Sequence, residues 1–138
     1  MTAFFDTNVL VYCTDNTAAD KQARARHLVA RATEAGQAVV STQVLIELFN
    51  VLTRKKNMPA ATAQRLVQAY AGWPVISSDA DLVLSAIGRS VQNSLSIWDA
   101  MVVQAAVCAG ADTLYSEDFQ HGQSFEGVTV VNPFLPAV

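Results

Sequence analysis

Basic residues run out early in this chain: no lysine follows Lys56, and neither lysine nor arginine follows Arg89. Charged side chains make up only 15% of the residues against 51% hydrophobic ones, which excludes a charge-solvated disordered chain and implies a packed core. No apolar run is long enough to cross a bilayer, and the amino terminus lacks the basic start of a secretory signal, so a soluble, cytoplasmic protein is expected. Cysteine and histidine are scarce, and Cys13, Cys108, His27 and His121 stand in no metal-ligand spacing. Their scatter excludes a disulfide framework and argues against a zinc site; buried, reduced thiols are expected at both cysteines. Glycine-rich phosphate loops, internal repeats and linkers are also missing. A net charge of -3 does not suggest nucleic acid, although the basic residues that exist are grouped.

What is present alternates. With 138 residues the chain forms one domain, 1–138, able to bury about two thirds of the surface it would expose unfolded. Ala3-Phe4-Phe5 reads as a strand buried on both faces, ending at Asp6-Thr7-Asn8. Val9 to Tyr12 fits strand or helix. Asn16 or Thr17 then offers a cap for a helix with Ala25, Leu28, Val29 and Ala32 inward, stopped by Gly36. Its other side carries Lys21, Arg24 and Arg31, either a solvated face or a phosphate-contact surface. Ala38 to Ser41 is a second strand, and Thr42 caps a helix with Leu45, Leu48, Phe49 and Leu52 buried, ending in Arg54-Lys55-Lys56.

Pro59 opens a third helix with Ala63, Leu66, Val67 and Tyr70 inward, closed by Gly72; Trp73 to Ile76 is extended. Ser78 and Asp81 make a capping box for a helix through Ala80, Leu84, Ile87 and Val91. The helix Met101 to Ala109, opened by Ser96 to Asp99, is apolar nearly all round, and Thr113 to Tyr115 and Val128 to Val131 are further strands. This order predicts right-handed crossovers in a mainly parallel central sheet with helices on both faces, a three-layer α/β/α fold.

Four acids fall where such a sheet holds its ligands, at the carboxyl ends of strands or the starts of the helices that follow: Asp6, Glu47, Asp99 and Asp118. Two carry bland alternatives. Glu47 shares a stripe with Gln43, Asn50 and Arg54 and reads equally well as a solvent-facing glutamate, while Asp99 lies three residues after Ser96, a helix-capping signature compatible with a site role. Crowded carboxylates repel unless a cation or a shared proton offsets the charge. An all-oxygen set favours Mg²⁺ or Mn²⁺, and the chemistry that suits is metal-assisted phosphoryl transfer.

Phe5-Asp6-Thr7-Asn8, Ser41 to Leu48, Trp98-Asp99-Ala100, Ser116 to Gly122 and the terminal Val131-Asn132-Pro133-Phe134 together resemble the PIN-domain ribonucleases, and more narrowly the VapC-type toxins of bacterial toxin-antitoxin pairs. The resemblance covers the whole chain in order. It implies that Asp6, Glu47, Asp99 and Asp118 are the acidic cluster that works with Mg²⁺ or Mn²⁺, with Asp6, Asp99 and Asp118 as metal ligands. Thr7 and Ser116 match the hydroxyl positions beside it, Asn8 is a support, and Glu117 an auxiliary acid. The implied activity is endonucleolytic cleavage of RNA, with a cognate antitoxin as inhibitor and a homodimer as the assembly. RNA would then rest on local patches at Arg24, Arg31, Arg54, Lys55 and Lys56.

Other readings of the acids fit less well. A haloacid-dehalogenase-type phosphatase needs a second aspartate where Asn8 stands, and a receiver domain needs a lysine late in the chain. The rival from another class is a catalytically silent PIN-like module that binds RNA or protein.

Overall fold

The computed structural model describes residues 1–136. Six strands, β1 (Ala3–Phe5), β2 (Ala38–Ser41), β3 (Val75–Ile76), β4 (Thr113–Tyr115), β5 (Ser124–Phe125) and β6 (Val128–Val131), form one sheet in the order β3-β2-β1-β4-β6-β5. All neighbours pair in parallel except β5 with β6. The middle of the sheet is where the strands are wholly apolar. Phe4 and Phe5 are fully buried, and Phe4 is flanked by Val39 on one side and Leu114 on the other, so β1 has no face that needs a polar residue.

Six helices cover the sheet: α1 (Thr7–Tyr12), α2 (Ala19–Glu34), α3 (Thr42–Arg54), α4 (Ala60–Tyr70), α5 (Ala80–Asn93) and α6 (Ile97–Cys108). The chain steps from β1 outward to β2 and β3 through α1 to α4, then crosses back through α5 and α6 to β4 on the other side of β1. Right-handed crossovers running in opposite directions put these two groups of helices on opposite faces, giving the three-layer α/β/α architecture expected. Packing follows the division, with α1 against α2 and α3, α3 against α4, and α5 against α6. The reversal between β1 and β4 opens a crevice at their carboxyl ends, which is where an open parallel sheet binds ligands. Asp6 leaves one side of that crevice and Ser116 the other.

Several local expectations shift by a residue or a face. Val9 to Tyr12 is helical because Asp6, in extended backbone, accepts a hydrogen bond from the Thr7 N–H and starts α1 at once. Neither Asn16 nor Thr17 caps α2: Asp15 takes both the Thr17 N–H and its hydroxyl in a turn, and the helix begins after Ala18 without a side-chain cap. Ser41, not Thr42, caps α3 by accepting from the Val44 N–H, and Asp79, not Ser78, caps α5 by accepting from the Leu82 N–H. Val44 replaces Phe49 on the buried side of α3. On α5 the buried residues are Leu82 and Ala86, while Leu84, Ile87 and Val91 face solvent. Cys108 is exposed because it lies at the end of α6, and Cys13 is only half-buried. The two-residue strand β5 had no signal of its own, being one Ser-Phe pair folded back on β6 around Gly127, whose φ of +87° suits glycine.

Candidate active site at the carboxyl edge of the sheet

Asp6 is the most deeply buried acid of the crevice, 4% exposed. Its Oδ1 accepts from the Thr7 N–H at 2.8 Å and its Oδ2 from the Ser116 hydroxyl at 2.8 Å. Burial nevertheless pushes its pKa up to about 7, opposed by the Ser116 and Thr7 donors and reinforced by the negative charges of Asp118 and Glu47. No lysine or arginine contributes to that balance. The carboxylate has hydrogen-bond donors but no counter-charge.

Asn8, the second residue of α1, ties the two walls together. Its Nδ2 donates to Asp118 Oδ2 at 3.0 Å and lies 3.2 Å from Ser116 Oγ, while its Oδ1 accepts from the Glu117 N–H at 3.3 Å. Ser116 also accepts from the Asp118 N–H at 3.0 Å, which turns the chain after β4 so that Asp118 returns toward Asp6. From the third wall, Glu47 on α3 is held at both oxygens, by the Thr7 hydroxyl at 2.9 Å and by Gln43 Nε2 at 2.7 Å. The same Gln43 amide donates to the Trp98 carbonyl at 3.2 Å, at the start of α6. Glu47 is thus half-buried and tied both to α1 and to its own helix.

Asp99 sits in the first turn of α6, and Ser96 caps the helix by accepting from the Asp99 N–H at 3.1 Å. The cap is therefore Ser96, and the Asp99 side chain is left for other work. Its pKa is raised, mainly by desolvation, with Asp118 and Glu47 adding to the shift and the Ser96 contact opposing it. Asp118 and Glu47 thus bear on both Asp6 and Asp99. As the side chains stand, though, no group of three or more His, Cys, Asp or Glu among the described residues converges closely enough to hold a metal ion. The donor chemistry, all oxygen and net negative, suits a hard divalent cation, which the side chains would have to turn inward to hold.

The remaining expected residues divide. Glu117 lines the same groove as Glu47 and Asp118 but is already partnered: it accepts from the Tyr12 hydroxyl at 2.9 Å and forms an ion pair with Lys21 at 3.1 Å. Lys55 and Lys56 line a groove of about 320 Å³ whose other walls include Asn8, Glu47 and Asp118. Arg24 is engaged instead with the carbonyls of Pro133 and Leu135, and Arg31 lines a separate cavity with Met1, Ala3 and Gln37 at the amino ends of the strands. Neither arginine faces the acids, and Arg54 is exposed at the end of α3 outside the groove's lining. The sequence places Gln43 on one stripe with Glu47 but gives it no role in the site, although its position four residues earlier, one turn back on the same helix, was a usable signal.

Among solved structures, the chain is similar to a toxin-antitoxin complex from Klebsiella pneumoniae (21% identity, 96% of this chain and 98% of that one covered, TM-score 0.69). It is also similar to VapC20 of Mycobacterium tuberculosis, a Sarcin-Ricin loop cleaving toxin (22%, 85% and 92%, 0.70). A third is VapBC2 from Rickettsia felis bound to a DNA fragment from its promoter (15%, 94% and 97%, 0.66). A search of curated proteins finds no significant match. At these identities the structures establish a shared fold. The family model for the PIN domain matches residues 3–123, spanning the sheet from β1 through β4 and every acid described above, and the chain belongs to the PIN-domain family.

Proposed function

We propose that this protein is a Mg²⁺- or Mn²⁺-dependent endoribonuclease and the toxin of a toxin-antitoxin pair. The observation that carries the reading is Asp6: a buried carboxylate with two more acids in Coulombic reach, no cation beside it, and a position at the switch point of the sheet. Asp6, Asp99 and Asp118 would hold the ion and Glu47 would complete the catalytic set. When bound, such an ion activates water and stabilises charge on a phosphodiester. The chain's own contribution is to keep the acids in place: Ser116 and Thr7 orient Asp6, Asn8 orients Asp118, and Thr7 with Gln43 orients Glu47. The toxin assignment is supported by the toxin and toxin-antitoxin assemblies that share the fold. A cognate antitoxin and a second copy of the chain are the partners we expect, acting in the cytoplasm; no helix among the described residues is long and apolar enough to cross a membrane.

The test is cleavage of total cellular RNA by purified protein with Mn²⁺ and with chelator, the products mapped at single-nucleotide resolution. Site-specific cuts that vanish with chelator support the reading. Absence of cutting under both conditions would favour a silent binding module, the alternative that the unconverged carboxylates keep open.

The path of the RNA gives a second expectation. Lys55 and Lys56 border the acids, so reversing both charges should weaken binding and lower the slope of log K against log salt by about one per lost phosphate contact. Lys56 is partly committed to Asp15, at 3.2 Å, so Lys55 should carry the larger share. Reversal at Arg24 or Arg31 should leave the slope unchanged. Salt titrations of binding to a catalytically inactive variant would decide it, and an equal effect at Arg31 would move the RNA to the other end of the sheet.

A further inference from the structure

We infer that Gln43 is a positioning residue of the acidic site, one that fixes Glu47 relative to the start of α6. This rests on the metal-dependent reading of that site. Gln43 is in the first turn of α3, only 8% exposed, and its single NH₂ group is used twice: on Glu47 Oε1 at 2.7 Å and on the Trp98 carbonyl at 3.2 Å. One bond runs along its own helix to an acid, and the other crosses to the residue before Asp99. The amide therefore sets the separation between the acid of α3 and the acid of α6, two groups that no shared secondary structure holds together.

The cost of this arrangement is visible at the other end of the amide. Gln43 Oε1 is the one buried side-chain polar atom without a hydrogen-bond partner among the described residues. An orphaned buried acceptor is unfavourable, and a residue chosen only to fill space would avoid it. Rotating the amide by a half-turn does not help, because its oxygen would then face the Glu47 carboxylate and the Trp98 carbonyl, both acceptors. The orientation is imposed by the two acceptors it serves, and a buried group kept at a cost by its contacts with a candidate site belongs to that site.

A packing residue and a positioning residue respond differently to Gln43→Met, which keeps the length of the side chain and removes both the donor and the orphaned acceptor. If Gln43 merely packs, Mn²⁺ affinity and kcat stay at wild-type values. If it positions Glu47, the variant still folds, Mn²⁺ binding measured by calorimetry without RNA weakens about 10-fold because the Glu47 charge no longer sits beside the three ligands, and kcat falls while KM holds. The effect must also run through Glu47, so in a Glu47→Gln background the same substitution should add little. A Gln43→Met protein that binds Mn²⁺ and cuts RNA like wild type overturns the inference, as does full additivity with Glu47→Gln. Should Gln43→Met fail to fold, Gln43→Leu is read by the same two measurements. A wild type that binds no Mn²⁺ at all is a different failure, since it removes the metal-dependent reading itself and the inference with it.

Discussion

In metal-free protein, Asp6→Asn should remove most of the fall in stability expected of the wild type between pH 4 and pH 7, while reducing RNA cleavage with Mn²⁺ by roughly 10³-fold or more, the scale of losing an essential electrostatic group. Asp6 has an ordinary carboxyl pKa of 3.8 when unfolded and about 7 when folded. Between those values the folded chain holds a proton that the unfolded chain has released, so unfolding becomes easier as pH rises. Below pH 4 both states are protonated and the penalty is absent; above pH 7 both are ionised and it is complete. A shift from 3.8 to about 7 corresponds to about 4 kcal/mol at 1.36 kcal/mol per pKa unit. The side-chain amide is neutral throughout and pays none of it, although its single carbonyl oxygen can replace only one of the two acceptors used by the Thr7 N–H and the Ser116 hydroxyl, a loss of about 1–3 kcal/mol at every pH. The variant should therefore be the less stable protein at pH 4 and equal to or more stable than wild type at pH 8. Urea unfolding with chelator across that range measures the difference. Parallel stability curves would mean that the buried carboxylate is compensated by something not among its present neighbours.

Excess Mn²⁺ supplies the control. An ion beside Asp6 favours its ionised form, so the wild-type penalty should shrink and the crossing of the two curves should move or disappear.

The broad architecture was legible because each strand of the sheet's centre is a short apolar run that ends in a polar residue, and helices separate the first four strands. The boundaries Ala38–Ser41, Thr113–Tyr115 and Val128–Val131 agree with the observed strands for that reason. Caps were less legible. At Ser41-Thr42 and Ser78-Asp79 two capping residues stand in tandem, and the choice depends on which one still has extended backbone where the strand or loop hands over to the helix, a property of tertiary structure. The α5 face was ambiguous in a different way. Leu82 and Ala86 form one stripe and Leu84, Ile87 and Val91 another, and hydrophobicity favours the second, yet the smaller pair faces the core because it leaves room for α6 to pack closely. Of the crevice, Asp6 and Asp118 stood out by their place after strands and Asp99 by its place at a helix start, whereas the partners of Glu47 and the ion pair of Glu117 with Lys21 depend on side chains 4 to 96 positions apart.

Asp99→Ala should separate the two roles that a first-turn aspartate can have. Since Ser96 caps the helix through the Asp99 N–H, removing the Asp99 carboxylate leaves that bond in place; it forfeits the carboxylate's contact with the Ser96 side chain and the favourable interaction of an acid with a helix N-terminus, the latter about 0.3–1 kcal/mol. Against that loss, the metal-free variant is relieved of the repulsion from Asp118 and Glu47 that raises the Asp99 pKa, so with chelator the two proteins should be within about 1 kcal/mol of each other. With Mn²⁺ at a hundred times its Kd the wild type should gain about 2.7 kcal/mol, and the variant, short of one ligand, much less. Denaturant unfolding of both proteins under the two conditions provides the four numbers needed. A gap that opens only when the ion is present makes Asp99 part of the metal site. An unchanged gap would assign the carboxylate to the helix dipole alone, and the cation would then have to be held by Asp6 and Asp118 without help from α6.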